Sequence, residues 1–226
     1  MTKIKAIVTD MDGTAINYAV YGDGIFGCSS DALSQILSEE ERERWNSNKK
    51  FFLSQNLYDP RISERWFKAD LELLKGKRLS EAKKFLFPVP YSNGFYEFFS
   101  FLNSNIKKGI LSNGIGLVAD KIKQELNFDE SVGDYLEFKD GIFTGNGKRG
   151  ISSLCKAGEL KNMADRFGVA LKSLCYIGDT IFDISCLNIA GVPIAFNPKY
   201  GLEKYAGENN IQIIHDFREL NNILEI

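Results

Sequence analysis

The sequence has one histidine, His215, in 226 residues. A zinc site built on several histidines is excluded, and any Ser–His–Asp or Cys–His centre would have to use that single ring. Its four cysteines, Cys28, Cys155, Cys175 and Cys186, form no C-x-x-C pair. With no secretory leader ahead of them they read as reduced thiols, small hydrophobes rather than metal ligands or disulfides. Neither sign of charge dominates: 28 basic against 30 acidic side chains give a formal net charge of −2. That balance provides no basic field for nucleic acid or an anionic membrane. No apolar run approaches the roughly 18 residues of a membrane span. A chain that is 44% hydrophobic and nearly neutral is also unlike a disordered one. The expectation is a cytoplasmic globular protein, monomer or homodimer, whose chemistry runs on carboxylates, hydroxyls and lysines.

What is present is an alternation of strand and helix signals with one interruption. Lys3 to Thr9 is a short β-branched run ending at the acidic turn Asp10-Met11-Asp12-Gly13-Thr14. From about Asn17 to Pro90 the pattern turns helical and aromatic. Ser30 and Asp31 read as the N-cap of a helix that runs through Leu37 to Arg44. A second helix runs from about Ser63 to Leu74 with Lys75-Gly76 as its stop, and a third follows Ser80 and ends before Pro88. After Pro90 come a helix over 94–105, a strand over 108–111 ending in a Ser112-Asn113-Gly114 turn, and a helix over 117–126. A hairpin over 135–144 turns at Asp140-Gly141. Further on are a helix over 156–167, a strand over 174–177, a helix over 183–189, two strands at 192–196 and 211–214, and a terminal helix. Such alternation predicts an α/β fold, a Rossmann-like parallel sheet flanked by helices with an inserted helical cap. The expected domains are a core, 1–16 and 91–226, and a cap, 17–90.

Ligands of such sheets bind beyond the carboxyl ends of the strands, where this sequence concentrates its acidic and hydroxyl residues. Asp10 and Asp12, one residue apart, face the same way, and Asp179 and Asp183 share a face at a helix start. Four carboxylates converging there would repel one another, and a divalent cation relieves the repulsion. Oxygen-only ligands suit Mg2+, which readily takes a phosphate oxygen as a further ligand.

These motifs together resemble the haloacid dehalogenase (HAD) superfamily of aspartate-nucleophile hydrolases. D-x-D-G-T is Asp10 to Thr14, the strand ending in Ser is Ile110-Leu111-Ser112, the lysine opening a helix is Lys156, and G-D-x-x-x-D is Gly178 to Asp183. The hairpin Lys139-Asp140-Gly141-Ile142-Phe143-Thr144-Gly145 matches the phosphoserine phosphatase-like branch. The resemblance implies that Asp10 is the nucleophile and Asp12 the general acid and base. It implies Mg2+ held by Asp10, the main-chain carbonyl of Asp12, and Asp179, with Asp183 beside it. Ser112, the amide of Asn113 and Lys156 would hold the phosphoryl oxygens. An aspartate at position 12 favours a phosphatase or phosphomutase, and the first reading is a phosphatase acting on a small phosphomonoester. A phosphotransferase or phosphomutase is the alternative, and a catalytically silent binding protein a third reading.

Departures from the branch's pattern predict, despite the resemblance, that phosphoserine is a poor substrate. The branch holds its amino group with a cap glutamate, its carboxylate with a cap arginine, and has Asn before the last aspartate. Here those positions are Ala19, Asp70 and Phe182, unless an offset brings Arg65 into the arginine's place. The cap aromatics Trp45, Phe51, Phe52, Trp66 and Phe67 are expected to be lid core rather than a substrate platform.

Overall fold

The computed structural model describes residues 3–19, 27–56, 59–151 and 156–224. The strands are β1 (Ala6–Thr9), β2 (Lys107–Ile115), β3 (Glu130–Lys139), β4 (Ile142–Lys148), β5 (Leu174–Gly178), β6 (Val192–Phe196) and β7 (Gln212–Ile214). They form one sheet in the order β4-β3-β2-β1-β5-β6-β7. All neighbours are parallel except β3 and β4, joined by the expected hairpin. Asp140 and Gly141 both take positive φ, 51° and 76°, as a two-residue turn with the strands' own twist requires.

Strand β1 is central and buried on both faces, so its side chains divide by alternation. Ile7 joins one apolar cluster and Ala6 and Val8 the other. Helices cover both. On the Ile7 side lie α5 (Phe95–Phe101) and α6 (Gly116–Leu126); on the other lie α7 (Ala157–Phe167), α8 (Ile184–Leu187) and α9 (Leu202–Glu208). A last short helix, α10 (Leu220–Ile223), adds Leu220 to the Ile7 cluster. The inserted stretch is helical as expected, with α1 (Ser29–Leu33), α2 (Glu39–Leu53), α3 (Pro60–Leu74) and α4 (Leu79–Leu86). Its Leu33, Phe67, Leu74 and Leu86 continue the same apolar cluster. Among the described residues no helix is long and apolar enough to cross a membrane.

Five local readings change. The helix expected over 30–44 is two helices, because Ser38 leaves helical geometry and starts α2 with a capping box. Its hydroxyl accepts from the Glu41 amide at 3.3 Å and its own amide donates to the Glu41 carboxylate at 2.8 Å. The N-cap of α1 is Cys28, not Ser30 or Asp31. Helix α5 stops at Phe101, ahead of a turn in which the Asn105 amide donates to the Asn103 side chain at 2.9 Å. Ser112-Asn113-Gly114 is no terminal turn: β2 runs on to Ile115, and the register against β3 shifts between Leu111 and Ile115. The helix expected over 183–189 is a 3-10 turn, Ile181–Asp183, followed by α8.

The described cysteines Cys28, Cys175 and Cys186 are free thiols, the last two buried and Cys28 half-buried; Cys155 lies outside the described residues. His215 is exposed, with its Nδ1 2.7 Å from Asn197 Oδ1.

Phe95 is fully buried and its ring meets those of Tyr91, Phe99, Phe128 and Phe217 at centroid distances of 4.6 to 6.1 Å. Phe95→Ala should lower the unfolding free energy by about 3–5 kcal/mol, read from urea denaturation, since the rings around it cannot collapse into the gap.

Candidate active site

Strands β2, β1 and β5 lie side by side and parallel, so their carboxyl ends open at one edge. Asp10 follows β1, Ser112 and Asn113 sit in the shifted segment of β2, and Asp179 follows β5. Lys156 arrives just before α7. These five residues and Asp12 line one cavity of about 200 Å³. Its opposite wall comes from the inserted helices, with Trp45 and Lys49 of α2 and Trp66, Phe67 and Asp70 of α3. Close approach of the segments depends on two glycines. Gly13 has φ +84°, and a Cβ there would overlap the Asp179 carboxylate; a Cβ on Gly114 would overlap Asp12.

Burial sets the electrostatics. One carboxylate oxygen from each of Asp10, Asp179 and Asp183 lies within 4.8 Å of the others, and all three residues are buried. Lys156 Nζ bridges two of them, donating to Asp10 Oδ1 at 2.7 Å and Asp183 Oδ1 at 2.8 Å. Burial disfavours the Lys156 ammonium, but the two carboxylates outweigh it and hold the charge firmly on. Burial pushes the Asp10 carboxyl up to about 6 despite Lys156. It pushes Asp179 well above the usual range, and the carboxylates of Asp10 and Asp183 add to the rise. Lys199 Nζ, 3.7 Å from Asp179 Oδ2, is the second cation of the cluster.

Not every expected residue faces the cavity. Asp183 is fully buried behind Lys156; its Oδ1 also accepts from Tyr176 Oη at 2.8 Å, and its Oδ2 from the Asp179 and Thr180 amides at 3.1 and 3.2 Å. It is bound where it positions the lysine and the loop. The Asp12 side chain also stands apart from the cluster, accepting from the Ser29 amide at 2.6 Å and hydroxyl at 2.9 Å. Burial raises its carboxyl to about 7, against the lowering effect of the Ser29 amide. The described residues fit a divalent cation on chemical grounds: Asp10, Asp179 and Asp183 form a buried, all-oxygen set.

Several residues of the site were not singled out in the sequence. Thr14 Oγ1 donates to Asp179 Oδ1 at 3.2 Å, and Ser29 reaches from α1 to both Asp12 and the Ile115 amide. The final T of D-x-D-G-T was a signal for Thr14, but Ser29 lies 17 residues beyond Asp12, and nothing in the sequence points to it. Arg149 donates to Asn113 Oδ1 at 2.9 Å and to the Ser63 carbonyl at 3.2 Å, tying α3 to the strand ends. Arg65 is exposed and outside the cavity, as is Ala19, whereas Asp70 and Phe182 line it. Of the expected lid core, Trp45, Phe52 and Phe67 are buried, Trp66 is half-buried and Phe51 is exposed. Trp45, Trp66 and Phe67 are cavity wall as well.

Removing the cation between two buried carboxylates is costly. Lys156→Met should destabilise the fold by about 3–5 kcal/mol in urea titrations without divalent cation, because Asp10 and Asp183 would then face each other unneutralised.

Residues 7–188 match the haloacid dehalogenase-like hydrolase family. A phosphoserine phosphatase of Idiomarina loihiensis is 30% identical over 156 residues, 68% of this chain and 67% of that one. A phosphoserine phosphatase of Methanocaldococcus jannaschii is 25% identical over 226 residues, 99% and 97% of the two chains. The chain spans less than half the length of several other relatives of the same name. In structure, a substrate-bound phosphoserine phosphatase superposes with a TM-score of 0.77 at 24% identity over the whole of both chains, a likeness of fold. The chain belongs to the haloacid dehalogenase-like hydrolase family, in its phosphoserine phosphatase-like branch, and is an enzyme of the phosphatase type.

Proposed function

We propose that the protein hydrolyses a small phosphomonoester, with Mg2+, through an aspartyl-phosphate on Asp10. One observation carries this reading: Asp10 is buried at the floor of a cavity with Lys156 at 2.7 Å and Asp12, its carboxyl raised to about 7 by burial, lining the same cavity. In the first step an Asp10 oxygen forms a bond to phosphorus as the bond from phosphorus to the ester oxygen breaks. Asp12 gives its proton to the departing alkoxide. In the second step Asp12 takes a proton from a water whose oxygen attacks phosphorus, the bond to Asp10 breaks, and inorganic phosphate leaves.

Asp10, Asp179 and the Asp12 carbonyl would hold a magnesium ion, whose positive charge would let an anionic nucleophile approach an anionic phosphate. Ser112, the Asn113 amide and Lys156 hold the remaining phosphoryl oxygens as charge shifts onto them. Asp183 and Tyr176 fix Lys156, and Ser29 fixes Asp12. Residues 17–90 serve as a lid over the core formed by 1–16 and 91–226, excluding water from the first step. Ser29 and Arg149 support that role, since each spans from the inserted helices to a strand end.

Hydrolysis of p-nitrophenyl phosphate should require Mg2+ and fall at least tenfold when Ca2+ replaces it, because the larger ion accepts more oxygens at longer range. Asp10→Asn should abolish turnover with the fold retained by circular dichroism; full activity in excess chelator would defeat the proposal. Asp12→Asn should slow alkyl phosphates more than nitrophenyl phosphate, since a basic alkoxide depends most on the acid. Equal losses on both esters would remove Asp12 from that role.

A further inference from the structure

Three more carboxylates line the cavity besides those of the acidic floor: Asp31, Asp70 and Asp134. Two of them have a cation. Lys49 Nζ is 2.7 Å from Asp31 Oδ1, and Arg149 Nε is 3.2 Å from Asp134 Oδ1. Asp70 of α3 makes no ion pair among the described residues; Arg149 and Lys49 act on it through space while committed to their own partners. Its Oδ1 is buried without a hydrogen-bond partner, the one carboxylate oxygen in that state among the described residues. A buried polar atom with nothing to bond is uncommon, and Asp70 lines the cavity, where a ligand can supply the donor.

The surroundings narrow the ligand. Trp45, Trp66, Phe67 and Leu74 make that part of the wall apolar, with aromatic rings that attract a cation. We propose that Asp70 recognises an ammonium group on the leaving alcohol, so that the substrate is the phosphomonoester of a short amino alcohol carrying no carboxylate. The inference rests on the phosphomonoesterase reading above and names the substrate class of that same site. A neutral hydroxyl would bond Asp70 without favouring its charged form. A leaving group with its own carboxylate would find no cation to pair with, since Lys49 and Arg149 already have partners. Burial raises the Asp70 carboxyl well above the ordinary range, consistent with a group that ionises when a cation arrives beside it.

The experiment compares 2-aminoethyl phosphate with n-propyl phosphate, nearly the same length with a methyl in place of the ammonium. O-phosphoserine and choline phosphate complete the series. In the wild-type enzyme with Mg2+, kcat/KM for the amine should exceed that for the propyl ester by about tenfold or more, the worth of one charge-assisted hydrogen bond. The difference should sit mainly in KM, and O-phosphoserine should fall below 2-aminoethyl phosphate. Asp70→Asn, nearly the same shape without the charge, should bring the amine-to-propyl ratio close to one. A wild-type ratio near one, an unchanged ratio in Asp70→Asn, or O-phosphoserine as the best ester would overturn the assignment. Choline phosphate equal to 2-aminoethyl phosphate would overturn the hydrogen-bonded ammonium, because a quaternary nitrogen donates nothing. If no phosphomonoester is hydrolysed, the phosphatase reading fails separately. Calorimetric titration with the amine and the propyl ester then still tests Asp70, and equal affinities would refute it.

Discussion

Three carboxylates, from Asp10, Asp179 and Asp183, are buried together at the ends of adjacent parallel strands, and Lys156 lies between two of them. Coulomb repulsion in a poorly solvated place makes that arrangement unstable unless each oxygen is matched by a donor or a cation. Much of the surrounding structure supplies those donors. Thr14 and Lys199 face Asp179, Tyr176 and two backbone amides satisfy Asp183, and Gly13 leaves room for the Asp179 carboxylate. The central position of β1 follows from the same need, since only adjacent strand ends bring these groups within reach.

The inserted helices complete the site as well as cover it. Ser29, at the first turn of α1, bonds Asp12, so the proposed acid is positioned from outside the sheet. Arg149 does the reverse, reaching from the hairpin side to Asn113 and to the Ser63 carbonyl of α3, with its guanidinium over the Phe67 ring at 5.6 Å. Chemistry at phosphorus would therefore be coupled to the placement of α1 and α3. The aromatic wall formed by Trp45, Trp66 and Phe67 belongs both to the packing of the insertion and to the cavity. In the proposed reaction one set of side chains excludes water and contacts the leaving group.

Local order along the chain was open to sequence reasoning wherever the signal was local. Apolar runs gave the buried strands, Asp140-Gly141 gave the hairpin, and Lys75-Gly76 gave the end of α3. Misreadings came where two local signals competed. Ser38 with Glu41 carries its own capping box inside a stretch that otherwise continues as one helix. Ser112-Asn113-Gly114 has the composition of a turn, yet parallel pairing with β3 extends the strand through it.

By itself the sequence determined the acidic, hydroxyl and lysine groups available for chemistry, the α/β order of elements, and the helical interruption after the first strand. These depend on residue type, periodicity and short motifs, all readable within a few neighbours. Tertiary structure alone decided which of the acids share one site, that Asp183 lies behind Lys156 rather than in the cavity, and that Asp12 is held by Ser29. It also decided that, among the described residues, Asp31 and Asp134 find cations while Asp70 makes no ion pair. The reason is physical: pairing, burial and desolvation arise between residues as far apart in the chain as Asp10 and Lys156, and no pattern along the sequence records which side chain ends up facing which.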